Sequence, residues 1–292
     1  MADTAAAAAV SGTRLGDLAT PAFVVSEQAF RLNCSSVLET ASANGVTRLR
    51  PHVKTHKTRE GTVIQAGPGG GGDGRRAKVV GFVVSTLPEL AMVVDLACES
   101  ATPEPYCDIL LGVPVCASRL SRIEAQRRML TEVAPGGQVH LLIDNPGQAT
   151  FVEDFVRENN ADAYSVFLKL DTGYHRAGVT VDDEGVALAV LIIESNHLRL
   201  KGVYSHCGHA YGISDKDEMR RTADEDLDTA LNFLEMLGAS LRSRGSDFDV
   251  SSLDVSVGST ASLSSHRIVG RTTMPDADRF ELHAGNYVFF DR

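Results

Sequence analysis

The sequence predicts a (β/α)8 TIM barrel, in which eight parallel strands alternate with helices and the sheet closes on itself. Three observations point there. Short apolar β-type runs alternate with amphipathic stretches along almost all of the 292 residues. Several of those runs are continuously apolar, as strands covered on both faces should be. Reactive side chains also recur just beyond the predicted strand ends, the edge at which such barrels assemble their sites. An open doubly wound sheet shares the alternation and stands as the alternative.

In chain order, the strands are predicted at 48–53, 78–85, 107–113, 138–143, 165–170, 200–205, 253–257 and 287–290. Helices are predicted at 26–43, 87–98, 118–133, 146–158, 182–195 and 215–244. Pro88 suits a first helical turn, where its missing N–H costs nothing, and Ser118 suits an N-cap. The glycine-rich stretch 67–74 lacks a G-K-[ST] ending and precedes a strand. It reads as a surface insertion and not as a phosphate loop. Residues 1–19 read as a disordered tail, 20–284 as the barrel and 285–292 as the start of a truncated β-domain.

Composition excludes several classes. A net charge of −10 argues against general nucleic-acid binding. No apolar run reaches the ~18 residues of a membrane-spanning helix, so no membrane association is expected. Five widely spaced cysteines without a C-x-x-C pair suit reduced thiols. Residues 1–10 are alanine-rich, carry Asp3 and contain no Arg or Lys, which fits neither a secretory signal nor a transit peptide. A cytoplasmic location follows by default.

The strand ends carry the chemistry. The first is followed by Pro51-His52-Val53-Lys54-Thr55-His56-Lys57. A lysine at a strand end, flanked by histidines and a second lysine, is placed to have its ammonium pKa lowered by burial and neighbouring charge. A neutral amine of that kind can bond a carbonyl compound. The bland alternative is a solvated basic turn. The fifth strand ends in Asp171-Thr172-Gly173-Tyr174-His175-Arg176-Ala177-Gly178, the sixth in Tyr204-Ser205-His206-Cys207-Gly208-His209-Ala210-Tyr211, and the seventh in Gly258-Ser259-Thr260. Glycine-freed backbone N–H groups and two hydroxyls after the seventh strand suit a phosphate monoester, although the segment can also be read as a plain turn. Arg176 is either a surface cation or a planar donor fork for a ring oxygen or a carboxylate. His206, Cys207 and His209 invite a metal reading, but strand neighbours face opposite ways and the spacing fits no familiar zinc pattern. His206 reads better as a histidine beside a cofactor ring. His140, His197 and His266 read as structural or exposed.

Together these blocks resemble the D-serine dehydratase and D-threonine aldolase group of fold-type III pyridoxal-phosphate enzymes, related to the N-terminal barrel of alanine racemase. The likeness opens with Thr20-Pro21-Ala22-Phe23-Val24-Val25 and closes with Gly285-Asn286-Tyr287, and the eukaryotic D-serine dehydratases look nearest in the His206 to Tyr211 segment. The resemblance implies pyridoxal 5'-phosphate as cofactor, with Lys54 as both its Schiff-base lysine and the α-proton base. It implies that Gly258, Ser259 and Thr260 hold the phosphate. His52, Tyr174, Arg176, Tyr204, His206 and Tyr211 would line the ring and carboxylate region. It further implies a D-amino-acid substrate, a homodimer, and zinc as a Lewis acid at the β-hydroxyl. The zinc ligands would come from a β-domain beyond Arg292, so no metal residue is assigned here. The implied activity is conversion of D-serine to pyruvate and ammonia. Retro-aldol cleavage of D-threonine and a non-catalytic cofactor-binding barrel are the alternatives.

Overall fold

The computed structural model describes residues 12–67, 76–266 and 278–289. The chain enters through helix α1 (Glu27–Ala43), whose first turn is capped by the Ser26 side chain accepting from the Ala29 N–H. The barrel then alternates β1 (Arg48–Pro51), α2 (Arg59–Ala66), β2 (Lys78–Val79), β3 (Phe82–Val84), α3 (Leu87–Glu99), β4 (Asp108–Pro114) and α4 (Leu120–Val133). It continues through β5 (Gln138–Ile143), α5 (Pro146–Asn159), β6 (Tyr164–Lys169), α6 (Asp183–Glu194), β7 (Leu198–Tyr204), α7 (Lys216–Ser243), β8 (Asp254–Val257) and β9 (Phe280–Ala284).

The strands lie side by side in the order β2-β1-β9-β8-β7-β6-β5-β4-β3, and every pairing is parallel. β2 and β3 are two halves of one pass, since β2 pairs with β1 and β3 with β4. The break falls at Gly81, where an added Cβ would sit 2.3 Å from the Asp108 carbonyl oxygen and 2.5 Å from the Arg50 guanidinium. A parallel bridge between His52 and Val83 joins the two ends of the sheet. That bridge decides for the closed barrel over the open sheet.

The period-two alternation sorts the strand residues into an outer apolar set and an inner set arranged in layers. At the N-terminal end the interior is charged. Arg50 is fully buried between Glu281, at 2.7 and 3.1 Å, and Asp108, at 2.5 Å. Arg48 and Lys201 reach Asp254, and His140 bridges Asp108 and Ser165. Above this lies an apolar layer of Val83, Leu110, Leu142 and Phe167, with the Tyr204 ring at its rim. Outward-facing side chains such as Leu49, Ile109, Leu141 and Leu168 pack under the helices. Each contributes about 1.5–3 kcal/mol by leaving water.

Two expectations differ from the structure. The predicted strand at 287–290 is instead a 3₁₀ turn, Asn286–Phe289, while Phe290 lies outside the described residues. The last strand is β9, whose inward Glu281 and His283 interrupt the apolar signal because they face a polar interior. Ser118 is no N-cap: it sits within a 3₁₀ turn, Ala117–Arg119, and its hydroxyl meets the Cys116 thiol at 3.3 Å. Pro88 does occupy the first turn of α3. Leu15–Asp17 forms a short 3₁₀ turn within the predicted tail, while residues 1–11 and 68–74 of the predicted tail and insertion lie outside the described residues. Among the described residues, no helix is long and apolar enough to cross a membrane.

Candidate active site

β1 ends in a tight 3₁₀ turn, Val53–Thr55, because the His52 imidazole folds back to accept the Lys54 N–H at 3.2 Å. That bond occupies Nδ1, so the Nε2–H is free to donate to the Ser85 hydroxyl, 3.0 Å away on the end of β3. Gly112 makes room for this pair: a Cβ there would lie 2.4 Å from Val83 and 3.5 Å from the His52 ring. Glu89 in turn holds the Ser85 N–H at 2.7 Å. Lys54 is thereby aimed across the barrel mouth into a cavity of about 180 Å³.

The opposite wall supplies a second amine. Counting β2 and β3 as one pass, β6 is four strands from β1 in either direction. At its end the buried Lys169 lines the same cavity, its ammonium 5.2 Å from the centre of the Tyr204 ring. Arg176, from the loop after β6, closes the cavity from above, with its guanidinium over the Tyr174 ring at 4.8 Å. Among the described residues, Lys54, Lys169 and Arg176 line this space and no carboxylate does, in a chain whose net charge is −10.

That crowding sets the protonation states. Burial first, and then the Arg176 charge, pull the Lys54 ammonium below its ordinary pKa, with Glu89 opposing. The same two causes bring Lys169 down to about 8. Burial and the three cations lower His206 to about 3. His52 and His283 are held well below the usual imidazole range, chiefly by burial. The floor is thus a neutral aromatic stack: Tyr204 lies on His283 at 4.1 Å and 11°, and His206 follows at 6.3 Å and 26°. The His283 Nδ1 meets the Ser256 hydroxyl at 3.0 Å, while its buried Nε2 has no hydrogen-bond partner.

The structure brings His52, Lys54, Arg176, Tyr204 and His206 together around one cavity. Tyr174 stands at the rim, edge-on to His206 at 5.8 Å, and fits only because Gly208 has no side chain. Tyr211 lies in the 3₁₀ turn Gly208–Gly212, outside the cavity lining. Gly258, Ser259 and Thr260 follow β8 beside the cavity without lining it. The Gly258 carbonyl accepts the Cys207 N–H at 3.3 Å, and Gly258 takes a φ of +118°. Lys169, His283 and Ser85 belong to the site and were not predicted. Lys169 was legible in principle, since alternation from Ser165 and Phe167 points it inward. His283 was hidden with its strand.

The residues present suit pyridoxal phosphate on structural grounds. A depressed amine faces a cation-lined cavity, and beside it the buried Thr260 Oγ1 has no partner. Zinc fares differently. Among the described residues no group of three His, Cys, Asp or Glu side chains could hold a metal. Cys207 and His209 approach to 3.9 Å, but His206 turns into the aromatic stack.

Residues 25–269 match the alanine racemase N-terminal domain. Over 288 residues the chain is 34% identical to D-serine dehydratase of Schizosaccharomyces pombe, covering 96% of this chain and 62% of that protein. The D-serine dehydratase of Saccharomyces cerevisiae is 27% identical over 297 residues, covering 96% of this chain and 66% of that one. Among solved structures, D-threo-3-hydroxyaspartate dehydratase from Delftia sp. HT23 superposes with a TM-score of 0.71 at 28% identity. The match covers 94% of this chain and 62% of that one. The chain thus spans somewhat under two thirds of the length of these relatives.

Proposed function

This chain belongs to the alanine racemase N-terminal domain family, and we propose that it is a pyridoxal-phosphate-dependent lyase for D-3-hydroxy amino acids, with D-serine as substrate. The observation that carries the reading is the Lys54 amine, held below its ordinary pKa and facing a cavity lined by Lys169 and Arg176. The named functions of the relatives lend it support.

When bound, pyridoxal phosphate supplies a carbonyl for an amine and an electron-withdrawing ring that acidifies the substrate's α-carbon. Everything else falls to the chain. Gly258, Ser259 and Thr260 form the turn that holds the phosphate, with Ser259 tied to Ser262 and the unpartnered Thr260 hydroxyl left to donate. Lys54, uncharged for part of the time, accepts the α-proton at Nζ. Arg176 pairs its planar fork with the substrate carboxylate, and Tyr174, whose ring lies under the guanidinium, keeps that fork oriented. The neutral His206 and His52 frame the ring without adding charge. Tyr211 stands in the adjoining 3₁₀ turn, Gly208–Gly212. Lys169 is at hand as a proton donor when the β-hydroxyl leaves as water. That water is regained when the remaining imine hydrolyses to pyruvate and ammonia.

The test is chemical. Borohydride treatment of cofactor-loaded protein should tag Lys54 in a peptide map, and D-serine should yield pyruvate. Lys54→Ala should lose the tag and at least about 10³-fold in turnover. Tagging of another lysine, or glycine and acetaldehyde released from D-threonine with no pyruvate from D-serine, would overturn the assignment. We also propose a cytoplasmic homodimer whose barrel spans 20–284; sedimentation equilibrium should give twice the chain mass for the dimer.

A further inference from the structure

We propose that Asp226 is a positioning residue, a single buried carboxylate on α7 that braces the three loops following β6, β7 and β8 and so presets the phosphate-holding turn. The inference rests on the reading above that Gly258, Ser259 and Thr260 seat the phosphate.

Asp226 is fully buried, yet each of its side-chain bonds among the described residues reaches a different loop. Its Oδ1 accepts the Thr172 hydroxyl at 2.5 Å, from the loop after β6, and the Ser205 hydroxyl at 2.7 Å, from the end of β7. Its Oδ2 faces the His266 Nε2 at 3.2 Å. The other ring nitrogen of His266 lies 3.0 Å from the Ser262 carbonyl oxygen. Ser262 then closes on the turn: its hydroxyl accepts the Ser259 N–H at 3.1 Å and meets the Ser259 hydroxyl at 3.0 Å. The Ser262 N–H returns to the Ser259 oxygen at 3.3 Å.

The chain of bonds therefore runs Asp226, His266, Ser262, Ser259, and it fixes the middle of the turn before any anion arrives. Thr260, next along, keeps a buried hydroxyl with no partner. Burial alone would raise the Asp226 carboxyl, but the bonds from His266, Thr172 and Ser205 hold it below the usual range, so it stays an acceptor at neutral pH. A turn held in this way binds phosphate without first ordering itself, and that preorganisation appears as affinity. None of these residues lines the main cavity, so the effect should be confined to the phosphate end.

The discriminating measurement compares equilibrium binding of pyridoxal phosphate with that of pyridoxal, which lacks the phosphate. Asp226→Asn keeps the shape and removes the charge. It should weaken pyridoxal phosphate about tenfold while leaving pyridoxal within about twofold, and it should shrink the rise in melting temperature given by inorganic phosphate. If Asp226→Asn does not fold, Ser262→Ala cuts the same chain nearer the turn and should give the same selective loss. Parallel loss of both ligands in the folded variant would reduce Asp226 to a structural role and overturn the inference. Wild-type protein that binds the two ligands equally would instead overturn the phosphate assignment beneath it.

Discussion

Lys54 and Lys169 line one cavity from opposite walls of the barrel, and both have lowered ammonium pKa values. Each is pulled down by burial and by the like charge of Arg176. Arg176→Gln should therefore raise both ammonium pKa values, Lys169 upward from about 8. The rising limb of the activity–pH profile depends on neutral Lys54 and should move to higher pH in this variant. Carboxylate binding should weaken at the same time, seen as a raised KM. A profile that stays in place would mean that Arg176 is too well screened to govern the lysines. Lys54 itself was legible from PHVKTHK, because a lysine between histidines at a strand end carries its own signal. Lys169 was not singled out, because in one dimension it is only the one cation near the end of the predicted strand 165–170.

Secondary-structure elements placed these residues through close backbone approach. At Gly202 in β7, an added Cβ would fall 2.2 Å from the Asp254 carbonyl oxygen of β8. That atom is backbone and cannot swing aside. Gly202→Ala should force β7 and β8 apart and cost at least about 1–3 kcal/mol in urea unfolding, with cofactor binding weakened because Tyr204 and His206 sit at the end of the same strand. An unchanged midpoint would show that the barrel wall yields more than its register suggests. The strands with apolar alternation were read within a residue or two, among them 138–143, which matches β5. β9 was misplaced because two of its five residues are Glu281 and His283. Hydropathy expects an apolar interior, whereas this barrel is charged at one end and imidazole-lined at the other.

The barrel as a whole sets its response to acid. His52, His206 and His283 are kept neutral by burial and neighbouring cations, with pKa values below the ~6.5 of the unfolded chain. Above that pH neither state binds the proton and the three groups contribute no slope. As pH falls below ~6.5 the unfolded chain takes up protons that the native fold refuses, so stability drops. The limit is about 1.4 kcal/mol per pH unit for each histidine. Urea unfolding of the apoprotein at pH 7.5 and 5.5 should show this loss, and His206→Asn should reduce the slope. A flat dependence over that range would mean that the three imidazoles are free to charge in the fold.

The sequence by itself determined the alternation of strands and helices, the polar edge and the lysine that faces the cavity. Each of these is written in a local pattern of period, turn residue or charge. Only the tertiary structure decided which strand ends meet: Lys169 facing Lys54, His283 beneath Tyr204, and Asp226 reaching three loops at once. Such pairings depend on closure of the sheet and on which side of each strand points inward, quantities fixed by packing between residues far apart in the chain, 231 positions in the case of Arg50 and Glu281.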